Sequence, residues 1–134
     1  QRNDGPLAEK IQQASGVDIP IVCESDPLKI KGILGACHAT VGSRFHGLVS
    51  ALSQGTPTLG TGWSHKYQML FEDYGVADGL LAVTASEADI TTALRDLLEP
   101  SKHAAYTIRL QERSLLLKEK SRQMWQDVAS VLDV

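Results

Sequence analysis

The sequence predicts an α/β fold in which a mostly parallel sheet lies between two layers of helices. Two observations carry that expectation. Short β-type runs alternate with amphipathic runs of roughly ten to fifteen residues, and glycine or proline punctuates most of the junctions between them. Strands separated by helical runs of that length are too far apart for hairpins and are read as βαβ units. The predicted architecture is a Rossmann-like three-layer α/β/α sandwich.

Each element has a local reason. Pro6–Gly16 (PLAEKIQQASG) reads as a helix, with proline in its first turn and glycine at its end. Ile19–Cys23 (IPIVC) is a short apolar run, read as a buried strand. In SDPLKIKGILGAC, Ser25 or Asp26 caps a helix that Pro27 opens, with Leu28, Ile30, Ile33 and Leu34 as its apolar stripe. Ala39–Ser43 (ATVGS) is the next strand, and FHGLVSALSQG the helix after it, closed by Gly55. TPTLGTG is a strand entered through Pro57, SHKYQMLFEDYG a helix closed by Gly75, and Gly79–Val83 (GLLAV) the last strand. SEADITTALRDLLEP opens on a capping-box variant, Ser86 with Asp89, and stops at Pro100. From Ser101 to about Val131 the pattern stays helical. His103, just after Pro100, is placed on an exposed turn, and His38, ahead of a strand, is read as structural.

A chain of 134 residues suits one domain, taken as 1–134, and no repeat or linker divides it. Hydrophobic residues at 43% and charged residues at 22% are globular values. A net charge of −3 argues against a general nucleic-acid surface, and no apolar run is long enough to span a bilayer. Cys23 and Cys37 have no zinc-site spacing and are expected to be reduced, largely buried thiols of a cytoplasmic protein.

The stretch Val41–Lys66 (VGSRFHGLVSALSQGTPTLGTGWSHK) holds Arg44, His46, His65 and Lys66 and no acidic residue. In an open α/β sheet, ligands bind beyond the carboxyl ends of the strands. Gly42 permits a tight turn or a close approach, Ser43 caps the next helix, and Arg44 and His46 fall in its first turn. Free N–H groups and the positive end of the helix dipole already favour an anion there, so a cation is misplaced unless something negative binds. The next strand end repeats the device: Gly60 and Gly62 open it, Ser64 caps, and Lys66 lies in a first turn. Alone, Arg44 reads as the partner of a distant carboxylate and His46 as a core histidine. Two successive strand ends delivering cations to adjacent loops reverse that preference. The Lys118, Lys120 and Arg122 cluster is interleaved with acids and reads as a solvated helix face. No Walker A, GxGxxG, HExxH or GxSxG motif is present, and no metal site is expected.

These residues resemble the polysaccharide pyruvyl transferase family. Its C-terminal half carries a strand ending in G-S-R-x-H, an alanine-rich helix, a G-x-P turn and a later lysine, found here as VGSRFHGLVSAL, QGTPTLG and SHKYQMLFEDYG. The likeness is tight over Ala39–Gly75 and looser from Ala8 to Leu98. It implies the C-terminal domain of a GT-B fold, with an N-terminal domain of comparable size, supplying a further arginine, outside this chain. It also implies transfer of pyruvate, as a ketal, from phosphoenolpyruvate to a sugar of a cell-surface polysaccharide or glycan, with no cofactor. By that resemblance His46 is the general acid, and Arg44 and Lys66 hold the donor anions. Ser43, Gly42 and His65 add contacts. The long C-terminal helix from Ser101 is expected to pack across the domain, back towards the missing one, so that this chain alone exposes apolar surface through which it forms a homodimer. The rival readings are a nucleotide-sugar-binding domain of a GT-B glycosyltransferase or epimerase, and a non-catalytic anion-binding module. The first needs an acid near the strand ends for ribose hydroxyls, and Glu72 is the candidate.

Overall fold

A computed structural model describes residues 4–132. The chain divides into two compact units, Gln1–Ile30 and Lys31–Val134.

The first unit holds helix α1 (Gly5–Ser15), with proline in its first turn as the sequence predicts. Gly16 closes it in the left-handed region at φ 65°, where its N–H reaches the Gln13 carbonyl and a side chain would be strained. No residue of α1 is buried. The expected strand Ile19–Cys23 is irregular instead, and Ile19, Ile21 and Val22 are exposed. A β run becomes a strand only when a neighbour takes its backbone groups, and the described residues of this unit supply no second strand. The Gln12 side-chain amide donates to the Ile19 carbonyl at 2.5 Å in place of a ladder bond. Helix α2 (Pro27–Ala36) begins in this unit, and Asp26 caps it by accepting the Leu28 N–H at 2.9 Å.

The second unit is an α/β layer structure on a parallel three-stranded sheet in the order β1 (Thr40–Gly42), β2 (Thr58–Thr61), β3 (Leu80–Leu81). Thr40, Val41 and Gly42 stand opposite Thr58, Leu59 and Gly60, and Gly60 and Thr61 opposite Leu80 and Leu81. Helix α3 (Phe45–Leu52) connects β1 to β2, and α4 (His65–Asp73) with a 3₁₀ turn (Ala77–Gly79) connects β2 to β3. Leu48, Leu52, Tyr67, Phe71, Val76, Tyr106 and Leu110 form the core. On one pleat, Gly60 lets α3 and α4 close on the sheet: a Cβ there would lie 2.6 Å from the Phe71 ring and 3.2 Å from Leu48. Leu59, on the opposite pleat, faces the groove between the last two helices, α5 (Glu87–Leu98) and α6 (Pro100–Val131). Helices on both faces explain why β2 is buried along most of its length.

A polar string runs through this core. The Tyr106 phenol donates to the Thr58 carbonyl at 2.7 Å, and burial, ahead of nearby Asp78, pushes that phenol well above its ordinary range. The Thr58 hydroxyl donates to the Thr56 carbonyl at 2.8 Å, so in its 2.7 Å contact with Thr40 the Thr40 hydroxyl is the donor. Ser114 of α6 donates to the Ser53 carbonyl at 2.9 Å.

The two last helices start as their residues dictate. Ser86 and Asp89 close a reciprocal capping box at the head of α5, and the Ser86 hydroxyl, then its N–H, hold the Asp89 carboxyl below its usual range. Glu99 accepts the Ser101 and Lys102 N–H groups at the head of α6. The helix begins at Pro100, so His103 lies in its first turn rather than on an exposed turn. Its ring is half-buried and stacks on His38 with centroids 3.9 Å apart. Both cysteines are free, as expected, but exposed rather than buried: Cys23 ends the unpaired run, and Cys37 follows the last turn of α2.

Gly79 and Gly32 offer opposite tests of this packing. A Cβ at Gly79 would collide with the Tyr106 hydroxyl and come within 2.7 Å of the Thr58 carbonyl, which cannot move without breaking the sheet. Gly79→Ala is expected to cost about 2 kcal/mol or more. At Gly32, inside α2, a Cβ meets nothing within 4 Å, and Gly32→Ala is expected to gain roughly 0.5–1 kcal/mol. Thermal or urea unfolding of the two variants checks both signs.

Candidate functional site

The parallel register sets the carboxyl ends of β1 and β2 side by side, with Gly42 opposite Gly60. A helix leaves each end after a short turn. The chain stays extended through Arg44, which occupies the N-cap of α3 at φ −87°, ψ 118°, with no side-chain cap bond. Ser43 therefore lies one residue ahead of the cap, a correction to its expected role, and Arg44 precedes the first turn while Phe45 and His46 open it. The first intrahelical bond runs from the Leu48 N–H to the Arg44 carbonyl at 3.0 Å, which leaves the preceding N–H groups of the turn outside the helix ladder.

At the second strand end, Ser64 stands at the N-cap of α4 and His65 opens the helix, both as expected. The Ser64 backbone has the extended shape of a capping residue, φ −116° and ψ 153°, yet its hydroxyl makes no cap bond. That Oγ is buried with no hydrogen-bond partner. A buried unsatisfied hydroxyl costs roughly 1–3 kcal/mol unless something else occupies it.

Tyr67 joins the two loops. Its phenol donates to the Ser43 carbonyl at 3.1 Å, and its ring meets Phe45 edge-on at 5.4 Å. A Cβ on Gly62 would run into that ring, so the close approach in this region is made at Gly60 and Gly62. At Gly42 a Cβ would make ordinary contact, 3.5 Å from Leu48, so packing alone does not require glycine there. The Lys66 ammonium lies 4.6 Å from the centroid of the Phe45 ring and 5.5 Å from that of Tyr67. Lys66, carried by the head of α4, thus lies against the first residue of α3. His46 stands edge-on to the same Phe45 ring at 5.9 Å.

Arg44, His46, His65 and Lys66 are all exposed, and Lys66 forms no ion pair with the described residues. Trp63 is 82% exposed and leans on Tyr67 at 6.0 Å. Glu72 lies in the last turn of α4, at the opposite end of the helix from Ser64, and accepts a bond from Gln68. Sequence reasoning missed Tyr67 and the orphaned Ser64 hydroxyl. A tyrosine three residues past a cap reads as core by spacing, and no residue pattern reports the direction of a hydroxyl.

A groove of about 550 Å³ between α5 and α6 offers a contrast. Both of its cations are paired internally, Arg109 on Asp78 at 2.9 Å and Lys102 on Asp96 at 2.6 Å, its third acid Asp89 is held in the capping box, and its lining includes Leu59, Leu97 and Tyr106. Among the described residues no group of three or more His, Cys, Asp or Glu side chains is arranged to hold a metal ion, and no helix is long and apolar enough to cross a membrane.

No curated protein and no solved structure matches the chain. A family model does, and its match runs from α1 through both strand ends to His65, the residue before Lys66. Over residues 7–65 the chain matches the polysaccharide pyruvyl transferase family, which supports the resemblance read from the G-S-R-x-H strand end.

Proposed function

We propose that this chain is the donor-binding part of a polysaccharide pyruvyl transferase, which moves pyruvate from phosphoenolpyruvate onto two hydroxyls of a sugar in a polysaccharide or glycan. One observation supports this most: neighbouring strand ends each present a helix N-terminus with cations at its head, and Lys66 of the second is packed onto Phe45 of the first. Phosphoenolpyruvate carries a phosphate and a carboxylate on a three-carbon frame. A small, multiply charged donor of that kind is matched by several fixed cations within one short span.

In this reading Arg44 and Lys66 hold the two anionic groups, while N–H groups at the head of α3 and contacts from Gly42, Ser43 and His65 complete the cradle. The buried Ser64 hydroxyl donates to an anion oxygen. His46 protonates C3 of the enol, which leaves C2 electrophilic. One sugar hydroxyl adds to C2 and loses its proton. The C2–O bond to phosphate then breaks, the second hydroxyl adds and loses its proton, and of the two protons released one leaves on hydrogen phosphate and the other restores His46. The product is a carboxyethylidene ketal, formed without change of oxidation state overall. The rival nucleotide-sugar reading needs an acid beside the cations, and Glu72 is at the wrong end of α4 for that.

In the complete enzyme, His46→Ala should lower kcat by roughly 10²–10⁴-fold with little change in donor KM, the signature of a proton donor acting in the transition state. Lys66→Ala should instead weaken donor binding about tenfold to a hundredfold. Steady-state kinetics with varied phosphoenolpyruvate separates the two, and unchanged pyruvylation in either variant refutes its assignment. Calorimetric titration of this chain with phosphoenolpyruvate against a UDP-sugar decides between the donor classes; preference for the UDP-sugar favours the rival.

Ser64→Ala gives an independent check. Because its hydroxyl caps nothing, the substitution should leave the ligand-free melting temperature unchanged or raise it, where loss of a working cap costs about 1 kcal/mol. Phosphoenolpyruvate binding should weaken by roughly tenfold. A destabilised variant with unchanged binding would assign Ser64 to the helix cap alone.

A further inference from the structure

Helix α6 outruns the body it packs on. With about 3.6 residues per turn, Tyr106, Leu110, Ser114 and Leu117 fall on one stripe, and Tyr106, Leu110 and Ser114 are buried against the domain. The same stripe continues through Ser121, Met124, Trp125, Val128 and Leu132. Beyond Ser114 no residue of α6 is buried, and Trp125 is 63% exposed. From Lys118 on the opposite face is polar: Glu119 pairs with Arg122, and Gln123 donates to Asp127 at 2.8 Å, while Leu115 and Leu116 are exposed off the stripe just ahead of it. An amphipathic helix of about 20 Å thus presents an apolar stripe, half-buried at Leu117 and exposed from Met124 on. Exposed apolar surface of this shape, flanked by charges, is the form of a helix–helix contact.

We propose that the occupant is the same stretch of a second copy, laid antiparallel about a two-fold axis near Gln123. The charges flanking the stripe select this arrangement. With Ser121 of one copy opposite Met124 of the other, Leu117 meets Val128, and the edge residues Lys120 and Asp127 of each copy meet Asp127 and Lys120 of the other. On the other edge Lys118 of each copy reaches Trp125 of the other, a cation over an indole ring. None of Lys118, Lys120 and Trp125 has a partner among the described residues. A parallel pair keeps a Lys120–Trp125 contact but brings Lys118 against Arg113 and leaves Asp127 facing apolar Leu132, with no opposite-charge pair. It also forces both folded bodies onto the inner side of the contact, since each body already occupies the same stripe from Tyr106 to Ser114. The antiparallel pair puts the bodies at opposite ends. The overlap buries on the order of 1,000 Å², at the lower limit for a specific interface, so the dimer is a weak one whose population depends on concentration. This inference does not depend on the donor site.

Sedimentation velocity of the chain over a concentration series tests it. The expected result is a reversible equilibrium between one and two chain masses. Val128→Glu, on the exposed part of the stripe, should leave only monomer with an unchanged circular dichroism spectrum. Lys120→Glu and Asp127→Lys should each weaken self-association by roughly tenfold, because each turns two attractive pairs into like-charged ones. Mixing those two variants should restore the dimer as a heterodimer, since each lost pair is re-formed across the interface. A chain that stays monomeric throughout the series overturns the proposal and leaves the stripe to a different partner. A dimer that survives Val128→Glu, or one that mixing does not restore, overturns the helix contact or its antiparallel register.

Discussion

The candidate site depends on one constraint, the parallel pairing of β1 with β2. Parallel neighbours point their carboxyl ends at the same edge of the sheet, so each connecting helix starts at that edge and directs its positive end there. With Gly42 opposite Gly60, the head of α3 and the head of α4 arise from adjacent strands at nearly the same height. Residues twenty positions apart in the chain, His46 and Lys66, become members of one edge because of that register and not because of any contact between them. A β1–β2 pair in antiparallel order would send them to opposite ends of the sheet.

Holding two positive helix ends so close requires tight packing behind them. Gly60 supplies it by letting Phe71 and Leu48 reach the strand, and Gly62 by admitting the Tyr67 ring. Tyr67 then spends its phenol proton on the Ser43 carbonyl, tying the turn after β1 to the helix after β2. Deeper in, Tyr106 does the same for β2 through the Thr58 carbonyl. In each case an aromatic body fills the core while its polar tip fixes a strand end. Tyr67 ties the site edge itself, whereas Tyr106 holds β2 at its amino end, the opposite end of the strand from that edge.

Much of this was legible in the sequence where local physics decides. The helices α1 to α6 start and stop near the prolines, glycines and caps that predict them, and the Ser86–Asp89 box forms as its spacing implies. Strands β1 to β3 fall inside the runs assigned to them. Legibility fails where the outcome depends on a neighbour. Ile19–Cys23 has the residues of a strand but no ladder partner among the described residues of its unit, and Cys23 is exposed with it. Whether Ser43 or Arg44 caps α3 is decided by where β1 releases the chain, since both residues satisfy the pattern. The expected positions of the cations could be read; the aromatic frame that seats Lys66 could not, because it is assembled from Phe45 and Tyr67 across the gap between two helices.

That frame bears on why a lysine is stable there at all. Lys66 lies in the first turn of its own helix and against the first residue of another, so two dipole ends oppose its charge, each by roughly 0.3–1 kcal/mol at an exposed site. The faces of Phe45 and Tyr67 return a similar amount, about 0.5–1 kcal/mol for an exposed cation over a ring. The aromatic contacts therefore offset the repulsion without exceeding it by much, and the ammonium is held in place while still lacking a counter-ion among the described residues. A carboxylate from the protein would instead have neutralised Lys66, against the role proposed for it. Aromatic rings restrain the cation without neutralising it, which is what the donor-binding role proposed for Lys66 calls for.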